Sequence, residues 1–124
     1  MNYEIQIERV YDYRKRIRAS GEYVVLVDRL WPRGVSKASL DIDEHLPDLG
    51  PSHELRKWFA HQDERWDLFR DKYHLELASN KVATQTLMRL KSIVAIQPLR
   101  LLFSARNEKH NQARALMEYL MAMK

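Results

Sequence analysis

The stretch Tyr23-Val24-Val25-Leu26-Val27-Asp28-Arg29-Leu30-Trp31-Pro32-Arg33-Gly34 decides the fold. Its first five residues form a continuous apolar run, which is typical of a strand buried on both faces of a parallel sheet covered by helices. The proline and glycine near its end stop the strand. A second such run is Leu99-Arg100-Leu101-Leu102-Phe103, and Ile5, Ile7 and Val10 indicate a shorter strand at the start.

Apolar residues recur at helical spacing between and after these runs. Ser52 is a plausible N-cap for a short helix, Asp63 for a second, and the last helix is expected from about Glu108 to Ala122. We read residues 35–51 as a loop with one helical turn. The four apolar stripes are Leu55, Trp58 and Phe59; Trp66, Phe69, Tyr73 and Leu77; Ala83, Leu87, Leu90 and Val94; and Ala113, Leu116, Met117 and Leu120.

The resulting order is strand, strand, three helices, strand, helix. Long helical crossovers between apolar strands predict the α/β class, as a small three-layer fold with a short, mostly parallel sheet flanked by helices. A length of 124 residues suits a single domain over 1–124.

The composition excludes several classes of protein. With 45% hydrophobic residues and no cysteine, the chain is neither disordered nor a disulfide scaffold, and it has no thiol nucleophile or thiolate metal ligand. No apolar run approaches the roughly 20 residues that span a bilayer, and the start lacks a signal-peptide pattern. We therefore expect a cytoplasmic protein without a membrane partner.

The net charge of +4 is unevenly distributed along the chain. Residues 1–37 carry +3, residues 38–80 carry −5 and residues 81–124 carry +6. This order could form a positive face for phosphate or nucleic acid. Alternatively, the acidic middle pairs with the basic ends.

Standard cofactor motifs are absent. With three glycines, the chain has neither a dinucleotide fingerprint nor a P-loop, and its five histidines match no familiar metal spacing. We therefore expect no cofactor and no metal. The acidic run Asp41-Ile42-Asp43-Glu44 lacks the glycine and terminal glutamate of a calcium loop, which favours a solvated loop.

Polar segments follow the two strongest strands. Residues 28–34 follow the first, and Ser104-Ala105-Arg106-Asn107-Glu108-Lys109-His110-Asn111-Gln112 follows the second. In open α/β sheets, ligands bind beyond the carboxyl ends of the strands. If the two strands are parallel neighbours, these segments form a cleft at one edge of the sheet.

The chemistry available at this edge favours an anion. Arg29, Arg33 and Arg106 offer planar, always-charged groups for phosphate or carboxylate, and the start of the last helix adds free N–H groups. Asp28 beside such cations should stay ionised, as a base or as a group that orients an arginine. Trp31 offers a flat face for a base or sugar.

A purely structural interpretation stays open. Asp28 could pair with an arginine to hold the loop, with Trp31 packed over the sheet edge. On the helices, Trp58 more often belongs to the core, whereas Arg56 and Arg70 could reach the cleft.

Several blocks of the chain resemble the YeaO-like family, small bacterial proteins grouped as a domain of unknown function (family 488). The resemblance covers nearly the whole chain and implies a compact α/β fold without supplying an activity. The blocks are residues 27–34, Leu55-Arg56-Lys57-Trp58-Phe59, Phe69-Arg70 with Tyr73 and Glu76-Leu77, Leu101-Leu102-Phe103-Ser104-Ala105-Arg106, and His110-Asn111.

Three positions depart from the family pattern. Asn107 stands where the family usually has aspartate, Gln112 where a second histidine is common, and His45 where tryptophan is common. Neither Asn107 nor Gln112 can transfer protons. The departures therefore favour binding over catalysis.

Three hypotheses follow, and whether the chain is an enzyme stays open among them. The first is a small domain that binds a phosphate- or nucleotide-like anion, with Asp28 and His110 as candidate catalytic residues. The second is a nucleic-acid-binding regulatory module, and the third a protein-partner module with exposed tryptophans. The oligomeric state does not follow from the sequence. The candidate ligand-binding residues are Arg29, Trp31, Arg33, Arg56, Arg70, Ser104, Arg106, Asn107 and Asn111.

Overall fold

A computed structural model describes residues 2–123 and contains one four-stranded sheet. Its strands are β1 (Ile5–Arg9), β2 (Tyr23–Leu26), β3 (Glu44–His45) and β4 (Leu99–Phe103), arranged in the order β1-β4-β2-β3. All three strand pairs are parallel. The α/β class with a short parallel sheet is therefore confirmed.

Within the described residues, five α-helices accompany the sheet: α1 (Val10–Tyr13), α2 (His53–Phe59), α3 (Trp66–Ser79), α4 (Lys81–Val94) and α5 (Gln112–Ala122). Single 3₁₀ turns occupy Lys37–Ser39, Pro47–Leu49 and Asp63–Arg65.

The helix caps follow from local sequence. Ser52 accepts a hydrogen bond from the Leu55 N–H at 3.1 Å, as predicted. Asn80 ends α3 and caps α4 by accepting from the Ala83 N–H, also at 3.1 Å. These caps fix where the crossover between β3 and β4 turns.

The two faces of the sheet are covered unequally. Helices α2–α5 cover one face, where Val25, Leu101 and Phe103 join the larger core. On the other face, a thin layer of α1 and residues 31–42 covers Val24 and Leu26. Each fully buried aliphatic or aromatic side chain stabilises the fold by about 1.5–3 kcal/mol, so most of the apolar stabilisation comes from the helical face.

The thin side also holds buried charge. Arg100 on β4 contacts Glu22 at 2.8 Å and Glu8 at 3.0 Å, and all three side chains are largely buried. The bidentate geometry and the additional contact to Gln6 offset the cost of removing these charges from water.

Four details differ from the sequence predictions. The loop predicted over 35–51 contains β3 and two 3₁₀ turns, and Val10 begins α1 instead of ending the first strand. Asp63 starts a 3₁₀ turn without capping α3. The last helix begins at Gln112, four residues later than expected, because Asn111 is its N-cap.

The acidic run 41–44 is also not simply a solvated loop. Arg18 forms ion pairs with Asp41 and Asp43, and Arg89 forms a bidentate pair with Glu44 at 2.6 and 2.9 Å. The Arg89 contact lowers the pKa of Glu44. Part of the acidic middle therefore pairs with the basic ends.

No helix within residues 2–123 has the length and apolar character to cross a membrane.

Candidate functional site

A cleft of about 780 Å³ lies beyond the carboxyl ends of β2 and β4, which are adjacent and parallel. Residues 28–33 form one side, and residues 104–107 and 110–112 form the other. The position is the one that strand order predicts. The remaining lining residues come from the helices and their connections: Tyr11, Pro51, Arg56, Phe59, His61 and Phe69.

Ten of the eleven predicted site residues meet in this cleft: Asp28, Arg29, Trp31, Arg33, Arg56, Ser104, Arg106, Asn107, His110 and Asn111. The prediction that Arg70 reaches it is wrong. The Arg70 guanidinium lies 3.5 Å from Asp67 and 3.8 Å from Asp71 on its own helix, where these carboxylates hold it.

Asp28 is a buried carboxylate in the cleft, with only 7% of its surface exposed. Its Oδ1 accepts from Gln112 Nε2 at 2.7 Å, and the same amide donates to the Val27 carbonyl at 2.9 Å. The purely structural interpretation suggested that Asp28 pairs with an arginine, but the structure shows no such pair. Among residues 2–123, no group makes a hydrogen bond to Asp28 Oδ2.

Burial raises the pKa of Asp28 above its ordinary value. Ser104, His45 and Arg56 favour the ionised form, but burial outweighs them. Ser104 faces the carboxyl without forming a bond of good hydrogen-bond geometry to it. Burial thus opposes the expected ionisation of Asp28, while the neighbouring cations act in its favour.

Arg29 lines the cleft but is not free to clamp an anion. Its Nε donates to the Pro51 carbonyl at 3.0 Å and its Nη2 to the Gly50 carbonyl at 2.7 Å. The backbones approach closely here, since a Cβ atom at Gly50 would lie 2.8 Å from the Arg29 nitrogen. Arg29 therefore fixes residues 50 and 51 beside the cleft.

Trp31 is likewise held by the fold. Its indole N–H donates to the Val35 carbonyl, and its ring meets His45 edge-on with centroids 5.4 Å apart. His45 Nε2 lies 2.7 Å from the Asp28 carbonyl oxygen. Arg33 follows on the exposed rim of the cleft.

The segment after β4 is shaped by two asparagines. Asn107 Oδ1 accepts from the N–H groups of Lys109 and His110, both at 2.9 Å. Asn111 accepts from the Arg114 N–H at 2.9 Å and donates to the Asn107 carbonyl at 3.0 Å. Asn107 and Asn111 both line the cleft, but their side-chain amides are already used to hold this segment. The cap from Asn111 also takes the Arg114 N–H, one of the helix N–H groups that we expected to be free for an anion.

His110 is fixed between two partners. Its Nδ1 lies 2.9 Å from Asp63 Oδ1, and its ring stacks on Trp66 with centroids 4.9 Å apart. The hydrogen bond with His110 lowers the pKa of Asp63, and Asn107 adds a second contact at 2.8 Å.

Sequence reasoning did not include several lining residues among the candidate site residues, and Tyr11, His61 and Gln112 are three of them. Tyr11 donates to the Arg33 carbonyl at 2.9 Å, and His61 lies in a turn where Ala60 and His61 both have positive φ, 48° and 57°. Tyr11 carries no local signal, and the positive φ at Ala60 and His61 could not be predicted, because non-glycine residues adopt it only uncommonly. Gln112 had a signal, because the sequence resemblance led us to expect a histidine at this position.

Residues 4–123 match the family model described as the inactive DUF488-N3 subclade. The chain belongs to the DUF488 family. It is 42% identical over 119 residues to the uncharacterised protein YeaO of Escherichia coli strain K12, covering 96% of this chain and 98% of that one. It is 35% identical over 95 residues to the uncharacterised protein Rv3073c of Mycobacterium tuberculosis, covering 77% of each chain. No solved structure matches it.

Two side chains that the sequence resemblance marks as departures contact acidic groups in and beside the cleft. Gln112 donates to the buried Asp28 carboxylate, and Asn107 donates to Asp63. At both positions of this DUF488 chain an amide supplies hydrogen bonds and cannot transfer a proton.

Proposed function

We propose that the cleft binds a small anionic ligand of phosphate or nucleotide type, without catalysis. One observation carries this proposal. Within residues 2–123, the side chains of Arg33, Arg56 and Arg106 line the cleft without a hydrogen-bond or ion-pair partner. Most other arginines of the chain are paired, including Arg16, Arg18, Arg29, Arg70, Arg89 and Arg100.

The charge balance in the cleft favours an anion. Its four arginines face a single lining carboxylate, Asp28, and one of the four, Arg29, is committed to carbonyls. Three guanidinium groups thus stay available for charge-assisted hydrogen bonds to phosphate oxygens. Arg33 and Arg106 are exposed at the rim, so the interaction should weaken as salt increases.

The absence of catalysis is inferred from the groups around Asp28 and His110. The partner of Asp28 is the amide of Gln112, which cannot relay a proton. His110 is held by Asp63 and Trp66 and makes no hydrogen bond to Asp28. The word "inactive" in the description of the matching subclade agrees with this proposal.

The protein-partner hypothesis receives less support. It requires exposed tryptophans, but Trp31 is half-buried and bonded to Val35. Trp58 is half-buried beneath the cationic groups of Arg65 and Lys72, at 5.3 and 5.4 Å from its ring centroid.

Isothermal titration with inorganic phosphate and nucleoside monophosphates tests the proposal. We expect the double variant Arg33→Ala with Arg106→Ala to weaken binding roughly tenfold or more, since each lost contact to a charged group is worth about 1.5–3 kcal/mol. Arg70→Ala is the control for each of the two single variants, Arg33→Ala and Arg106→Ala, because it also removes one arginine but outside the cleft.

Equal weakening by Arg70→Ala would show a general charge effect and contradict the cleft proposal. Titration with a short single-stranded oligonucleotide distinguishes the nucleic-acid hypothesis from the small-ligand proposal. If it binds much tighter than any monophosphate, with a steep salt dependence, the small-ligand proposal is wrong.

A further inference from the structure

His110 lines the cleft with one ring nitrogen bound and the other unbound. Its Nδ1 lies 2.9 Å from Asp63 Oδ1, and the same contact lowers the pKa of Asp63 and so keeps that carboxylate ionised. Because an ionised carboxylate only accepts hydrogen bonds, Nδ1 is the donor. Among residues 2–123, no group makes a hydrogen bond to Nε2, and Nε2 is open to solvent. Nε2 is therefore the ring nitrogen that a ligand can reach.

The orientation of the His110 ring is fixed by groups outside the cleft. The ring stacks on Trp66 with centroids 4.9 Å apart and planes 16° from parallel, and Trp66 is itself buried. Among residues 2–123, His110 lines the cleft, whereas Asp63 and Trp66 do not. The bound nitrogen and one face of the ring thus point away from the cleft, which leaves the edge that carries Nε2 on the cleft side.

His110 shares its segment with a cation of the proposed anion site. Arg106, four residues earlier, is exposed, and it also lines the cleft. Asn107 Oδ1 orders the turn between them by accepting from the N–H groups of Lys109 and His110. Arg106 and His110 therefore belong to one ordered wall of the cleft.

The charge state of the ring decides how Nε2 acts on an anion. With Nδ1 holding its proton, Nε2 of the neutral ring carries a lone pair, which repels a phosphate oxygen. In the protonated ring Nε2 becomes a cationic donor and forms a charge-assisted hydrogen bond. Histidine is the side chain that changes charge between about pH 5 and 8.

We propose that protonated His110 is a further ligand of the anion in the cleft, so that binding takes up a proton and strengthens as pH falls. Nε2–H donates to an oxygen of the anion, and Asp63 is the positioning residue that holds Nδ1. The ligand class is a doubly charged oxyanion such as a phosphate monoester. This inference rests on the proposed binding of an anion in the same cleft.

Sulfate is the probe that tests this inference. Its charge stays constant over the range in which histidine titrates, whereas a phosphate monoester itself binds a proton near about pH 6. At constant ionic strength, the sulfate affinity measured by NMR titration should be at least about tenfold higher at about pH 5.5 than at about pH 8.5. The His110 ring signals should titrate at higher pH with sulfate bound, because binding favours the protonated ring.

Other charged groups also surround His110. The arginines keep their charge over this range, but Asp28 ionises as pH rises through its raised pKa and would then weaken anion binding as well. His61 is a second histidine that lines the cleft. The groups on the turn before α3, on the other walls of the cleft and on the segment of His110 itself are Asp63; Asp28, Arg33, Arg56 and His61; and Arg106, Glu108 and Lys109.

Two histidine variants separate these contributions. His110→Asn removes Nε2, keeps an NH₂ group to donate to Asp63, and should lose most of the pH dependence of sulfate binding. His61→Asn is the matched control, since asparagine tolerates the positive φ of 57° there, and it should keep that dependence. Asp63→Asn keeps an oxygen for Nδ1 without the negative charge, so its pH dependence should move to lower pH.

The outcomes distinguish this inference from the proposed function. Sulfate binding that weakens in the Arg33 and Arg106 double variant but is equal at both pH values overturns the role of His110 alone. The same follows if the pH dependence survives in His110→Asn or disappears in His61→Asn. Failure of sulfate to bind at about pH 5.5 overturns the inference as well. The proposed function fails with it if inorganic phosphate and the nucleotides also do not bind. The ring titration of the unmodified protein decides the inference even if a variant does not fold.

Discussion

The two segments that form the cleft are held in different ways. Residues 28–34, after β2, are fixed by close packing of Arg29 on Gly50 and by the buried Asp28 carboxylate. Residues 104–111, after β4, are fixed by an exposed turn around Asn107 and a helix cap from Asn111. The first segment depends on burial and the second on local hydrogen bonds, although both follow apolar strands of the same sheet.

The two segments also differ in the pKa shift of the carboxyl group that each one contains or contacts. Burial raises the pKa of Asp28, whereas the hydrogen bond with His110 lowers the pKa of Asp63, which holds the second segment. The pKa of the carboxyl within the first segment is therefore raised, and the pKa of the carboxyl that contacts the second segment is lowered.

The largest expected effect comes from Gly50→Ala. The new methyl group would lie 2.8 Å from the backbone nitrogen of Arg29 and 2.9 Å from the Arg29 Cβ, so the segment after β2 must move. We expect a loss of about 1–3 kcal/mol in the free energy of unfolding, measured by urea denaturation.

Gly21→Ala is the control for this substitution. No atom lies within 4 Å of a Cβ there, so only the strain of its positive φ of 84° should appear, about 1–2 kcal/mol. If Gly50→Ala leaves the cleft ligand affinity intact while Gly21→Ala reduces it, packing on Gly50 does not fix the first segment.

Asn111→Ala should have a smaller effect. It removes the cap of α5 and should lower the free energy of unfolding by about 1 kcal/mol, read from thermal or urea unfolding. Asn111→Ser keeps a capping oxygen and, like alanine, lacks the amide that donates to the Asn107 carbonyl, so it should lose less than Asn111→Ala. Equal losses for the alanine and serine variants would show that the cap is not what orders the second segment.

The smallest effects on stability should come from the two carboxyls as pH changes. The folded-state pKa of Asp63 is lowered, so its stabilising contribution is present at neutral pH and lost as pH falls through that pKa. The folded-state pKa of Asp28 is raised, so the stability it confers is full below the unfolded pKa and lost as pH rises through the folded pKa.

Carboxyl titration by NMR checks both directions, with Asp28→Asn and Asp63→Asn assigning the signals. The free energy of unfolding is also measured from acidic to neutral pH. The part of its pH dependence that comes from Asp28 should disappear only in Asp28→Asn. If the pKa values of both carboxyls are shifted in the same direction from their ordinary values, the difference between the two segments is contradicted.

Most of the fold could be predicted from the sequence because its signals are long. β2 and β4 are continuous apolar runs, and helices α2–α5 each carry a stripe of apolar residues. β3 has two residues and α1 has four, too few for any period to be recognised. The position of the cleft followed from the strand ends alone.

The roles of individual arginines could not be predicted. Arg29 donates to carbonyls 21 and 22 residues away, and that contact depends on how Gly50 approaches it in three dimensions. Arg56 and Arg70 looked equivalent in the sequence, yet carboxylates on α3 hold Arg70 outside the cleft. Spacing places a side chain on an element but does not reveal its partners.

The unequal covering of the sheet has a consequence for how the molecule opens. Trp31 and residues 33–35 belong to the thin layer, whereas Arg56, Phe59 and Phe69 belong to the helical layer. Regions with few buried apolar contacts unfold locally at lower free energy than the main core. We therefore expect the thin layer to open at a lower free energy than the helical layer, and a molecule bound across the cleft would couple the opening of the two.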